Sequence, residues 1–488
     1  MPERYHIHTL PTLARFQRVG KFGTADWRED CSRCKNCVKL RCLYDVYRSE
    51  AAHNRNPAAP VEPLFECKSC LSCVQGCTKG LLSLALNPEF LALGDSYWRP
   101  DILATTWDQS EAGRIPVSGA GYRGPFSGPG FDAMWTDMSE IVRPTRDGIH
   151  GREYISTSVD IGAKPMQLTF DAAGALKNPA SLTEVPMPVI LDPAPWGDPG
   201  EVIMRARVAA AAALHTLAVV PAKYLRAVAA EQRRFVVPLF EGEDVFAHAD
   251  ALAQAAMVEV ADGPACADIA KKLQRGMGFQ PMNSTGKMPV PQRLVAVRLP
   301  LRPDSAKRVL GLHEAGVNII HLCADYQGRE FGAERPRFIK EALREIHGQF
   351  VQRGVRDEVT LIAGGGIALA EHMAKAVICG ADLVSVDIPL LVALGCRVCT
   401  ASPLPEKGRG GERGCGRAAA CPVGIPAVEV SYAAQRMVNL MGAWHNQLIE
   451  VLGAMGIREM RRLRGEVGRA MFLEDLERDA FKELVRSA

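Results

Sequence analysis

Cysteines crowd the front of this chain. Four fall within CSRCKNCVKLRC (31–42), and four more within CKSCLSCVQGC (67–77). Cys31, Cys34, Cys37 and Cys42 are spaced C-x2-C-x2-C-x4-C; Cys67, Cys70, Cys73 and Cys77 are spaced C-x2-C-x2-C-x3-C. An iron–sulfur cube needs four thiolates converging from short loops. A C-x2-C-x2-C run wraps three of them around one cube, and the fourth crosses to the other. The spacing predicts two [4Fe–4S] clusters, one on Cys31, Cys34, Cys37 and Cys77, the other on Cys67, Cys70, Cys73 and Cys42. The competing reading is a pair of structural zinc sites, which use two separated C-x2–4-C pairs rather than three thiols at x2 spacing. Neither fourth cysteine is followed by proline, since Leu43 and Thr78 stand there, and Cys42 comes one residue late. These are loop variations. A unit of this kind is an electron wire and not itself a catalyst.

Further chemistry sits near the other end. Cys396, Cys399, Cys415 and Cys421 form a looser group in LGCRVCTASPLPEKGRGGERGCGRAAACPVGIP (394–426). Four thiols there suggest a third iron–sulfur centre, three-iron or four-iron, against the alternative of free buried thiols. The stretch between Cys399 and Cys415 reads as a polar, low-complexity surface insertion, and GFQPMNSTGKMPVPQ (278–292) looks like a second one. Gly364, Gly365 and Gly366 form a triplet in AGGGI, where backbone N–H groups can approach a phosphate closely. Arg298 closes the apolar run LVAVRLP. A cation there suits the N1/O2 edge of a flavin ring, where charge gathers on reduction; a surface ion pair is the plainer alternative.

The elements that must carry these residues are legible in the hydrophobic pattern. Short β-rich runs recur at 188–191, 217–221, 235–240, 257–261, 294–300, 318–324, 360–366 and 383–389. Helical periodicity fills most gaps, as in PGEVIMRARVAAAAALH (199–215). Continuous apolar strands alternating with helices mean a parallel sheet covered on both faces. Eight such units predict an α/β fold, a (β/α)8 TIM barrel; an open doubly wound sheet is the runner-up, but no GxGxxG follows the first strand. In a barrel the triplet ends strand seven, where phosphates dock, and the third cysteine group follows strand eight. The predicted organisation is a ferredoxin-like iron–sulfur domain over 1–100, a Gly/Pro-rich connector packed on the barrel over 101–185, the barrel over 186–426 and a helical segment over 427–488. The connector carries Tyr122, Phe126, Phe131, Met134 and Trp135 as anchors, with Arg143, Arg146 and His150 as polar contacts of a cofactor wall. In the last segment the methionines read as packing and His445 as polar decoration.

Composition fits a soluble globular enzyme. A net charge of +3 gives no argument for nucleic acid or an anionic membrane. No apolar run reaches the ~18 residues that span a bilayer, and the N-terminus lacks a signal peptide's apolar core. Fifteen cysteines in such a chain point to metal or redox chemistry in the cytoplasm rather than disulfides.

Several stretches together resemble the FMN-binding glutamate synthase family, in its compact, ferredoxin-bearing form: IPVSGAGYRGPFSGPGFDAMWTDMSEIVRPTRDGIHGREYISTSVDIG, LGC…CPVGI, and QRMVNLMGAWHNQLIEVLGAMGIREMRRLRGEVGRAMFLEDLE. The resemblance implies an FMN-bearing barrel that reduces the imine of 2-oxoglutarate and ammonia to glutamate. Electrons would arrive through the clusters from a ferredoxin or an NADPH-oxidising subunit. Gly364, Gly365 and Gly366 match the flavin phosphate loop, and Arg298 stands where the family has lysine. Cys396 and Cys421 match the outer ligands of the barrel-side cluster, with Cys399 or Cys415 between them. The strand-end loops depart from the family: LDPAPWG (191–197), VVPAKY (219–224), ADGPACAD (261–268) and CADYQGREFG (323–332). They open two alternatives, a related oxidoreductase acting on another amino or imino substrate such as N-methylglutamate, and a non-catalytic electron-transfer subunit. The family's glutaminase uses an N-terminal cysteine; Pro2 stands here, so ammonia would come from solution or a separate glutaminase subunit.

Overall fold

The structure is a computed structural model that describes residues 5–16, 19–20, 22–28, 30–32, 34, 36–43, 70–115, 126–136, 155–165, 167–174, 181–195, 199–275, 294–398, 421 and 423–485. The connector residues Tyr122, Arg143, Arg146 and His150 lie outside these.

Eight parallel strands close on themselves: β6 (Val189–Leu191), β7 (Ala218–Pro221), β8 (Val236–Phe240), β9 (Met257–Ala261), β10 (Leu294–Pro300), β11 (Ile319–Cys323), β12 (Thr360–Gly364) and β13 (Leu383–Val386). Closure is made where β13 pairs β6, with Val384 opposite Val189. The open-sheet alternative is thereby excluded. The strands are mostly runs of branched and small apolar residues, because both faces of the sheet are covered. Val219, Val237, Val260, Val297, Ile320, Leu361 and Val384 are all fully buried.

Before the barrel come β1 (Phe22–Trp27), β2 (Leu82–Leu86), β3 (Met134–Thr136), β4 (Val159–Ala163) and β5 (Ser181–Val185); β14 (Ala470–Phe472) follows it and pairs β3. β1 and β2 are antiparallel, with Ala25 opposite Leu84. This pairing folds the two front cysteine runs back between them. The hairpin β4–β5 covers the barrel's N-terminal end: the Gly162 N–H donates to Thr360 Oγ1 at 3.0 Å, and that hydroxyl donates to the Gly162 carbonyl at 2.7 Å. Arg461 clamps the hairpin through Asp160 at 2.7 Å, while Arg464 and Arg356 both reach the buried Asp382 at 2.8 Å.

The helix Val430–Ala454 packs on the helices Glu201–Ala213 and Pro100–Ala112. Its four-residue periodicity puts Met437, Leu440, Met441, Trp444 and Leu448 in the core. Trp444 donates from Nε1 to Gln109 Oε1 at 3.1 Å. His445 is not surface decoration. It is buried, hydrogen-bonded to Thr157 Oγ1 at 3.1 Å, and its ring meets Tyr5 edge-on at 5.0 Å. Among the described residues no helix is long and apolar enough to cross a membrane.

Trp444→Ala removes a fully buried aromatic and leaves Gln109 without its donor. Unfolding free energy should fall by about 3–5 kcal/mol, read as a lower urea midpoint at an unchanged slope. A loss under ~1 kcal/mol would show that the helix is peripheral to the fold.

Candidate active site at the barrel mouth

Chemistry in a barrel gathers at the C-terminal strand ends, and the charged side chains do so here. Arg298, on β10, donates to both carboxylate oxygens of Asp192, at 3.0 and 2.6 Å, and to Glu259 on β9 at 3.4 Å. Glu259 also meets His321 Nδ1 at 2.6 Å, and His321 Nε2 lies 2.8 Å from Ser385 Oγ. Ser385 Oγ in turn donates to Asp192 at 3.4 Å. The four ionisable groups and one hydroxyl form a closed ring of contacts. Asp192, Glu259, His321 and Ser385 are buried. Strand alternation explains the alignment: Arg298 is in register with His321, and His321 and Cys323 share one face of β11.

Burial this deep is costly for any single charge, so the groups must neutralise one another. Burial works to raise the Asp192 carboxyl, but Arg298 and then His321 outweigh it and hold it below the usual range. Burial likewise opposes charge on His321, but Cys323 and Glu259 push its ring up to about 10. The surface-ion-pair alternative for Arg298 is therefore excluded. Its cation is engaged by two buried acids. A sixth polar group, Cys323, has its thiol, one Asp192 oxygen and one His321 nitrogen all within 4.8 Å of one another.

The glycine triplet borders this ring. A Cβ on Gly364 would meet Ser385 Oγ at 2.4 Å and His321 Nε2 at 3.0 Å. Gly365 and Gly366 have φ of +90° and +70°, and the backbone of Ala324–Gly328 fills the space their side chains would take. That loop is braced by Trp98, which donates to the Tyr326 carbonyl at 2.9 Å, and by Gln327, which donates to Asp95 at 3.0 Å. Tyr97 donates to the Gly366 carbonyl. The N–H groups of Gly366 and Ile367 are buried and have no acceptor among the described residues, while that of Gly365 faces the Ser385 carbonyl in the β12–β13 ladder. Buried backbone donors are rarely left unpaired, and two in succession suit the oxygens of a phosphate monoester. The residues present thus fit the phosphate of FMN.

The front thiols also converge. Cys37, Cys42 and Cys73 are buried against Leu82, with Cys77 and Val74 packed on them. One cysteine run therefore meets the other, as the crossed pairing requires. Leu81 donates its N–H to Cys77 Sγ at 3.3 Å; the amides of Leu81 and Lys79 hold this thiol below its ordinary value. A single zinc ion would draw its thiolates to about 3.8 Å of one another, given Zn–S bonds of about 2.3 Å. Among the described residues no three front thiols come within 4.8 Å of one another. Cys31, Cys34 and Cys70 are half-buried to exposed, and Cys67 lies outside the described residues. At the barrel, Cys396 is buried and Cys421 partly so, while Cys399 and Cys415 lie outside the described residues.

Sequence reasoning missed Asp192, Glu259, His321, Cys323, Ser385 and Asp387, as well as Tyr97. A signal was present for several. Glu259 interrupts MVEVA, His321 interrupts NIIHLCA, and Asp387 ends LVSVD. An ionisable residue inside an otherwise apolar buried strand marks a site.

The charged His321 stabilises the fold in a pH-dependent way. Its folded value of about 10 lies above the ordinary 6.5, so the contribution is complete below about pH 6.5 and is lost as pH rises through about 10. His321→Gln should flatten the decline in unfolding free energy between neutrality and about pH 10. An unchanged slope would show that the ring is not charged in the folded protein.

Comparison with known proteins adds a likeness. The model of the conserved region in glutamate synthase matches residues 335–458, which hold the glycine triplet, β13, Cys396 and Cys421. The archaeal-type glutamate synthase [NADPH] of Dehalococcoides mccartyi is 21% identical over 479 residues, covering 89% of this chain and 92% of its own. That of Thermotoga maritima is 22% identical over 493 residues, covering 92% and 94%. The archaeal glutamate synthase [NADPH] of Methanocaldococcus jannaschii reaches 35% identity over 129 residues, 26% of this chain and 24% of its own. Among solved structures, an L230A mutant of flavocytochrome b2 covers 75% of this chain and 82% of its own at 12% identity and a TM-score of 0.42, a likeness too loose to carry more. Shared conserved region and near full-length likeness agree: this chain is similar to the glutamate synthases along nearly its whole length and is a glutamate synthase-like oxidoreductase.

Proposed function

We propose that the chain is the synthase subunit of a glutamate synthase, forming glutamate by reduction of 2-iminoglutarate made from 2-oxoglutarate and ammonia. The observation that carries this reading is the pair of buried, unpaired N–H groups at Gly366 and Ile367, set just past the end of the seventh strand of a barrel in a chain similar to glutamate synthases. FMN held there would supply the hydride, and [4Fe–4S] clusters on the front cysteines would relay single electrons to it. A third iron–sulfur centre would use Cys396 and Cys421 with Cys399 or Cys415. The donor is a reduced ferredoxin or an NADPH-oxidising subunit, and ammonia comes free or from a separate glutaminase subunit.

The chain's own residues have definite tasks in this scheme. The glycine loop binds the phosphate through backbone donors. Tyr97 and Trp98 brace the loop and tie it to the segment that leaves β2. Glu259 and Ser385 orient the His321 ring and keep a proton on it, at the strand ends where an imine nitrogen needs one.

One observation favours a second reading. Arg298 is engaged by Asp192 and Glu259, so it is not free to grip a substrate carboxylate. An imine other than 2-iminoglutarate, such as that formed with methylamine to give N-methylglutamate, then competes as substrate.

Protein purified without oxygen should make glutamate from 2-oxoglutarate, ammonia and reduced ferredoxin. Replacing ammonia by methylamine tests the second reading in the same assay. A fully reduced flavin with no amino-acid product from either amine would discard both. Cys34→Ser should abolish flavin reduction by ferredoxin while dithionite still reduces it; a normal rate with ferredoxin would show that the front cysteines carry no current.

A further inference from the structure

We propose that Asp192, His321 and Cys323 form a binding site for a thiophilic divalent cation, such as Zn²⁺, at the barrel mouth. The site stands on the geometry of these side chains and not on the flavin reading. One Asp192 oxygen, one His321 nitrogen and the Cys323 sulfur lie within 4.8 Å of one another. Asp192 follows β6, while His321 and Cys323 share a face of β11. His321 Nε2 is 3.9 Å from an Asp192 oxygen. A tetrahedral zinc ion, with bonds of about 2.0–2.3 Å, spaces such donors about 3.3–3.8 Å apart, so the three draw together by about 1 Å at most.

The ring nitrogen that faces the thiol is the one a metal would use. Nδ1 is engaged by Glu259 at 2.6 Å. Nε2 and the Cys323 sulfur lie 3.0 and 3.7 Å from the point where a Cβ on Gly364 would stand, so glycine brings no side chain between them. A carboxylate on the far nitrogen fixes the tautomer and orientation of a metal-binding imidazole. Glu259 is that carboxylate here, buried with the ring. Asp192 accepts from Arg298 with both oxygens, but an ionised carboxylate has about four lone-pair sites and can serve a metal as well. Ser385 Oγ, 2.8 Å from Nε2, carries a hydrogen that rotates to suit its neighbours.

Charge favours a dication. Metal ligands bind deprotonated, so the ion takes the place of the ring proton at Nε2 and meets a thiolate. Asp192, Glu259 and the thiolate then face Arg298 alone, and a divalent cation cancels the remainder. Imidazole, thiolate and a single carboxylate suit zinc rather than magnesium or calcium. Cys323 is partly exposed, which gives the ion a way in and leaves the fourth position to water. An ion on Nε2 displaces the proton that the ring would hold for an imine, so it acts as a reversible inhibitor.

The test uses the full-length protein purified without oxygen, its cofactors in place, with Zn²⁺ as the probe. Equilibrium dialysis and metal analysis should find about one zinc ion more per chain in the wild type than in Cys323→Ser, at equal iron content. A second readout needs no variant. Iodoacetamide labelling of Cys323, followed by peptide mass spectrometry, should slow about tenfold with zinc at ten times its Kd and recover on chelation. Mg²⁺ at the same concentration should leave the rate unchanged, and His321→Gln should lose the protection by zinc. Equal zinc counts in the wild type and Cys323→Ser overturn the site, as does labelling that zinc does not slow. Protection that persists in His321→Gln, or that Mg²⁺ reproduces, overturns it as well.

Discussion

The interior of this barrel is held by mutual neutralisation. Asp192, Glu259, Arg298 and His321 come from four different strands or the loops that follow them, and the buried Asp192, Glu259 and His321 cannot be charged alone. Each makes its neighbour's charge tolerable, and Ser385 closes the ring with its hydroxyl. Removing one member would leave an uncompensated charge, which costs far more than the pair gains. The glycine triplet follows from this arrangement. Gly364 has no side chain because Ser385 and His321 occupy the place where one would go.

Around that ring the molecule is built as a vessel with one floor and one mouth. The β4–β5 hairpin covers the N-terminal end through its two bonds with Thr360. The mouth is bordered by Ala324–Gly328, and that loop is braced by Asp95, Tyr97 and Trp98. These residues follow β2, one of the two strands that bring the front thiols together. The segment with the front cysteine runs and the loop that packs on the glycine triplet are thus mechanically joined. A change in one is felt in the other without a shared ligand.

Much of this was legible in the sequence. All eight barrel strands fall within two or three residues of the apolar runs, because strands covered on both faces are mostly apolar. The structure brings Cys37, Cys42 and Cys73 together around Leu82, so the two cysteine runs meet; the clusters expected from their spacing remain a proposal. The polar ring was not legible, since its members lie far apart in sequence and only closure of the barrel brings them together. Arg298 shows the difference. Its type and strand-end place suggested a free cation, but Asp192, more than a hundred residues away, had already claimed it. His445 erred the other way: a polar residue on an amphipathic helix looked outward, and only Thr157 and Tyr5 show why it faces in.

Arg15 donates to the carbonyl of Leu394 at 2.6 Å and to those of Val423 and Gly424 at 2.7 and 3.2 Å. One guanidinium thereby fastens both stems of the stretch that separates Cys396 from Cys421. With its two roots stitched together, that stretch can lengthen or shorten over evolutionary time without disturbing the strands beneath.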